Sequence, residues 1–197
     1  MRLAPEGLLI RWGRLSSPKK KRIAKAELDS ILARDWDGLT ELMIILAQWA
    51  ALHLAQNYRD FSVGCALLAF NVFGEYRIVL GGNTMNRKGG SKICAELDAF
   101  HLATGNRFDY FEKIAVIGPP QRDKESGVDS QTLPPCYVCR FMMQNSFRVP
   151  LDTLIVTATP DGKTREFNTL RSLLIRHNAL ETKEQSGAAV RLTAQAN

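Results

Sequence analysis

Two short strings constrain this chain more than anything else in it: Cys94-Ala95-Glu96 and, further along, Pro135-Cys136-Tyr137-Val138-Cys139. In the second string the two cysteines are three apart, so on the first turn of a helix their side chains lie on one side. A helix N-terminus favours thiolates through its partial positive charge, and Pro135 suits the entrance to such a turn. If Cys94 opens a second helix, all three sulfurs can meet only in a fold that brings two distant helix starts to one point. Three protein ligands leave the fourth position of a tetrahedral zinc open, as a catalytic site requires and a structural one does not. Glu96, two residues after Cys94, can exchange protons with a water in that position without binding the metal.

Each part of this pattern is weak alone. A single CxxC can be redox-active or structural. Cys65 could close the site as a fourth ligand, although its apolar surroundings suit a buried thiol better. Glu96 by itself could be an exposed helix residue. The combination is far more specific. Three thiolates would make the zinc a weaker Lewis acid, and nearby positive charge would offset this. The two helix N-termini supply some of that charge, and Arg140 is the side chain placed to hydrogen-bond a thiolate. His53, His101 and His177 are scattered and read as structural or exposed.

Periodicity places these strings in order. Leu39, Leu42, Met43, Leu46, Ala50, His53 and Leu54 predict a helix over about 39–58, with Asp37 as its N-cap. Strands are expected at 62–71 and 76–81, joined by a hairpin at Gly74. A polar loop at 83–92 precedes a helix from about Cys94 to Thr104, followed by a strand at 113–118. A long polar loop at 119–135 leads into a helix from about Cys136 to Asn145. A strand at 154–158, a turn at Asp161-Gly162 and a helix over 170–176 complete the order. Helix, hairpin, then alternating helix and strand imply an α/β chain, with a mixed sheet of about five strands covered on both faces. Ligands in such folds sit beyond strand ends, where both cysteine-bearing helices would begin.

Charge divides the chain. The net charge of +6 is concentrated in residues 1–26, where eight Lys/Arg face one acidic residue, and the rest sums to −1. A uniformly basic nucleic-acid-binding domain is disfavoured. Residues 1–36 therefore read as a basic extension with a short helix at 27–35, 37–180 as the catalytic domain and 181–197 as a flexible tail. Pro18-Lys19-Lys20-Lys21-Arg22 suits nuclear import, an organelle presequence or a solvated arm. No apolar run reaches the roughly 18 residues that cross a bilayer. A cytoplasmic protein is the default expectation.

Together these residues resemble the cytidine deaminase superfamily, of the three-cysteine zinc type, over roughly 38–178. Tyr58-Arg59-Asp60-Phe61-Ser62-Val63-Gly64-Cys65-Ala66 is similar to that family's approach to its first strand. Gly82-Asn83-Thr84-Met85-Asn86 falls where the family carries G-x-N-V-E-N. The resemblance implies a three-layer α/β/α fold, one zinc per subunit and hydrolytic deamination of a cytosine-containing nucleoside or analogue. It also implies Glu96 as the proton shuttle, Asn83 at the sugar, Phe61 in the base pocket and the Ala95 backbone at the pyrimidine carbonyl. A homotetramer or homodimer is implied too.

Met85 departs from the pattern, standing where the family has a ribose-binding glutamate. A thioether is a weak acceptor. Leu97 replaces a frequent arginine. Cys94-Ala95-Glu96-Leu97 is similar to blasticidin S deaminases, so a cytosine on an unusual sugar is an open substrate. A deaminase of RNA or single-stranded DNA, holding phosphates through residues 1–26 and using Phe108, Tyr137 and Phe147, is the other alternative. That reading predicts binding to single strands that falls steeply between low and physiological salt; a flat salt response, or no binding, removes it.

Overall fold

The computed structural model describes residues 36–57, 61–85, 92–120 and 130–175. The basic arm, the helix expected at 27–35 and the tail at 181–197 lie outside the described residues.

The elements run α1 (Trp36–His53), β1 (Gln56–Asn57), β2 (Gly64–Phe70), β3 (Tyr76–Gly82), β4 (Thr84–Met85), β5 (Lys92–Ile93), α2 (Ala95–Gly105), β6 (Tyr110–Ile117), α3 (Tyr137–Asn145), β7 (Leu154–Ala158) and β8 (Arg165–Thr169). Helical residues 170–175 follow. The main sheet has five strands in the order β3-β2-β6-β7-β8, and β1, β4 and β5 form a small three-stranded sheet. Among the described residues, only β6 and β7 pair in parallel within the main sheet; the other neighbours are antiparallel. The expected mixed sheet of about five strands is therefore present.

Strand β2 explains the layering. Nearly all of its residues are buried, as in a strand covered on both faces. Ala66 and Leu68 face α1, whose Leu39, Met43, Ile44 and Ala47 also meet Ala115, Ile117 and Val156. Cys65, Leu67 and Ala69 face the other way, toward Ala95, Ala99 and Phe100 of α2 and Cys139 and Met143 of α3. This is the expected three-layer α/β/α arrangement. Registers show that β3, β6 and β7 run in one direction. The chain leaving β3 leads to α2, and the chain leaving β6 leads to α3. Both helices thus start at the same end of the sheet.

Two sequence expectations are corrected. Asp37 does not cap α1: the helix already includes Trp36, and Asp37 lies in its first turn, where a carboxylate still favours the helix dipole. The helix also ends at His53 rather than near Tyr58. Strand β8 had no sequence signal. Its Arg165, Glu166 and exposed Phe167 break apolar alternation, and it exists by pairing residue for residue with β7. The Gly74 hairpin is as expected, with Gly74 at φ +68° and the Asn71 carboxamide oxygen accepting from the amides of Phe73 and Glu75.

Helix α2 lies unusually close to the sheet because its inner residues are alanines and β3 offers a glycine. A Cβ added at Gly81 would stand 2.2 Å from the Ala95 carbonyl oxygen and 2.5 Å from the Ala99 amide nitrogen. Backbone cannot yield there cheaply, and overpacking typically costs about 1–3 kcal/mol. We expect Gly81→Ala to destabilise the fold by that order, seen as a lower melting temperature, or to block folding. Gly105→Ala, whose added Cβ meets nothing within 4 Å, should be neutral or slightly stabilising. Thermal unfolding of the two variants checks this.

Candidate functional site

Cys94 and Cys136 occupy the N-cap positions of α2 and α3, both with extended backbone, and neither spends its side chain on capping. Cys139 sits in the first turn of α3 and is buried. The Sγ atoms of Cys94 and Cys136 are 3.7 Å apart, and those of Cys136 and Cys139 3.4 Å. All three sulfurs lie within 4.8 Å of one another. A tetrahedron with metal–sulfur bonds of about 2.3 Å would hold its sulfurs about 3.8 Å apart. The spacing therefore fits three ligands of one ion, and the thiols are free rather than disulfide-bonded. Cys65 is not part of this cluster among the described residues; it is buried in β2, and burial pushes its thiol pKa up.

The sulfurs share their protons unequally. Hydrogen bonds with Cys139 and Cys94 hold the Cys136 thiol far below its usual range, at about 2. The bond to Cys136 pushes Cys94 up to about 12 and raises Cys139 as well. The three thiols titrate together, and a metal ion binding there must displace their protons.

Glu96 occupies the first turn of α2 and is only 5% exposed. Burial raises its carboxyl pKa to about 7; the negative charge of Cys136 adds to this, while the Glu96 amide, Cys139 and Lys92 oppose it. A carboxyl group poised there can both accept and deliver a proton near neutral pH. Ala95, between Cys94 and Glu96, is fully buried, and helix geometry leaves its amide without an intrahelical acceptor.

The remaining expected residues are held in different ways. Asn83, at the end of β3, is buried and brackets the chain before β2. Its Oδ1 accepts from the Val63 amide at 2.8 Å, and its Nδ2 donates to the Phe61 carbonyl at 2.7 Å. Asn83 and Phe61 are therefore joined, and Phe61 packs against the core beneath α2 and α3. Arg140 directs Nη1 to the Leu173 carbonyl at 2.8 Å, fixing α3 to the last helical turn. Of the aromatics considered for nucleic-acid contact, Phe108 is buried under Arg77 and Phe147 stacks on Phe100, so both belong to the core; Tyr137 is exposed. His53 and His101 are exposed, and His177 lies outside the described residues.

Asp98 was missed by sequence reasoning. Its carboxylate accepts from the Gly82 amide at 3.0 Å and so ties α2 to the end of β3 beside Asn83. A carboxylate within an alanine-rich helix was the only available signal.

The arrangement can be compared with known proteins. No protein-family profile and no curated protein matches the sequence. Among solved structures, the cytidine deaminase of Burkholderia pseudomallei is similar, with a TM-score of 0.52 at 23% identity, over 66% of this chain and 91% of that one. The chain has the cytidine deaminase fold. The cytidine deaminase of Mycobacterium leprae gives a TM-score of 0.48 at 23% identity, covering 71% and 97% of the two chains. That of Mycobacterium tuberculosis gives 0.44 at 25% identity, covering 61% and 83%. The fold expected from the residues is thus matched by the first of these structures, and Cys94, Cys136 and Cys139 form a group that could hold a metal ion.

We expect Cys94→Ser, Cys136→Ser and Cys139→Ser each to lose most bound zinc, and Cys65→Ser to keep it. Because the metal must displace thiol protons, zinc should be released as pH falls. Metal analysis of dialysed protein across a pH series reads both.

Proposed function

We propose that this chain is a zinc-dependent hydrolytic deaminase that converts a cytosine-containing nucleoside, or a nucleoside-like compound, to its uracil product and ammonia. The observation that carries this reading is the buried Glu96 carboxyl at the start of α2, next to three thiols spaced for one metal ion.

Cys94, Cys136 and Cys139 would hold the zinc, which supplies a water acidified enough to ionise near neutral pH. Glu96 does the proton work. Its carboxylate takes the proton from water, passes it to the ring nitrogen beside the carbon under attack, and then helps the amino group depart as ammonia. The overall change adds one water and releases one ammonia. The Ala95 amide can donate to the pyrimidine carbonyl, and Phe61 can line the base. Asn83 has committed one amide hydrogen and one lone-pair direction to Phe61 and Val63, so its second hydrogen remains for a sugar hydroxyl.

Met85 favours a second reading of the sugar. It is half-buried in β4 between Asn57 and Lys92, where a thioether offers only a weak acceptor. A cytosine compound with an altered sugar, as in blasticidin S, suits this position. Self-association belongs to the same proposal, with exposed Tyr137, Val138 and Phe141 of α3 as apolar surface for a second copy to cover.

We expect zinc-loaded protein to release ammonia from at least one of cytidine, deoxycytidine and blasticidin S. Glu96→Gln should lower that rate by about 100- to 10,000-fold while retaining zinc. If all three compounds stay untouched, the reading fails; if single-stranded DNA or RNA is deaminated instead, the substrate class is wrong.

A further inference from the structure

The long loop before α3 ends in a side-chain lock that the proposed chemistry does not use. Thr132 is fully buried four residues before Cys136. Its hydroxyl donates to the Glu166 carboxylate on β8 and meets the hydroxyl of Thr157 on β7 at 2.6 Å. Ser130 donates to the same Glu166 oxygen at 3.2 Å. Proton direction is thereby fixed: a carboxylate oxygen accepts from both Ser130 and Thr132, so Thr132 must accept from Thr157. Thr157 and Glu166 are direct cross-strand partners and share the sheet face that carries α2 and α3. The next residue, Leu133, closes over Gly118, where an added Cβ would stand 2.5 Å from the Leu133 side chain. Pro134 and Pro135 then stiffen the short path to Cys136.

We propose that Glu166 is a positioning residue for the metal centre: through Thr132 and Ser130 it fixes the strand-end seat from which α3 presents Cys136 and Cys139. The inference rests on the reading of Cys94, Cys136 and Cys139 as metal ligands. Two of the three ligands come from α3, so a small shift of its first turn moves both sulfurs relative to Cys94. Hydroxyls donating to a half-buried carboxylate make stronger bonds than neutral pairs, which suits a contact that must hold a register. The lock also accounts for an acidic residue on an edge strand that lacks any sequence signal for being a strand.

The test compares the full-length chain with Glu166→Ala, Thr132→Val and Ser130→Ala, each loaded with one equivalent of zinc or cobalt. Zinc transfer to a chromogenic chelator is timed, the cobalt–thiolate and d–d bands are recorded, and melting of the metal-free proteins is measured. We expect Glu166→Ala and Thr132→Val to release zinc about tenfold faster and to shift the cobalt bands, with metal-free melting close to the parent chain. Ser130→Ala, which removes one of two donors, should show a smaller change in the same direction. Glu166→Gln keeps a carbonyl acceptor and should restore most of the slow release. Release rates and cobalt bands equal to those of the parent would overturn the proposal. So would a drop in metal-free stability as large as that of the loaded protein, since the lock would then be a general structural contact. A parent chain that takes up no metal would overturn it together with the reading beneath it.

Discussion

Everything in this molecule turns on the meeting of two helix N-termini at one end of a sheet. Thiols ionise and bind metal where positive potential is available, and two convergent helix starts supply part of it. The strands exist to make that meeting precise. β3 delivers α2 and β6 delivers α3, and both strands run the same way. Gly81 lets α2 lie against β3, Asp98 ties the helix to Gly82, and the Thr132–Glu166 contact seats the approach to α3. None of these contacts touches a sulfur.

The same crowding shapes the acid–base chemistry. Alanines at 95, 99 and 103 draw α2 onto the sheet, and the water this excludes leaves the Glu96 carboxyl desolvated. Close packing and a raised pKa are one event seen twice. A carboxyl group on an exposed helix start would stay ionised and could not return a proton to a substrate near neutral pH. The fold thereby couples its own stability to the protonation state that the proposed reaction needs.

Much of this was legible in the sequence, for identifiable reasons. The meeting of Cys94, Cys136 and Cys139 was readable because short fixed spacings at helix starts bring sulfurs to one point, and Glu96 follows Cys94 by two residues. The central strands and α1 were readable because burial imposes a period. Elements without a local period were not. β8 is an edge strand whose residues are chosen for partners: Arg165 for Glu41 on α1, Glu166 for Thr132. Asn83 was placed at a sugar by resemblance, yet its buried carboxamide also holds Phe61 and Val63 across some twenty residues of sequence, a tie no motif encodes. Asp37 was misplaced because capping depends on where the helix starts, and side-chain chemistry alone does not set that.

The central claim is that the metal is held by three sulfurs with its fourth position open to water, so that Glu96 has a proton to move. X-ray absorption on zinc-loaded protein reads that coordination directly. The account predicts three sulfur neighbours at about 2.3 Å and one lighter oxygen neighbour at about 2.0 Å. Four sulfur neighbours, or zinc that fails to bind at one per chain, would contradict it.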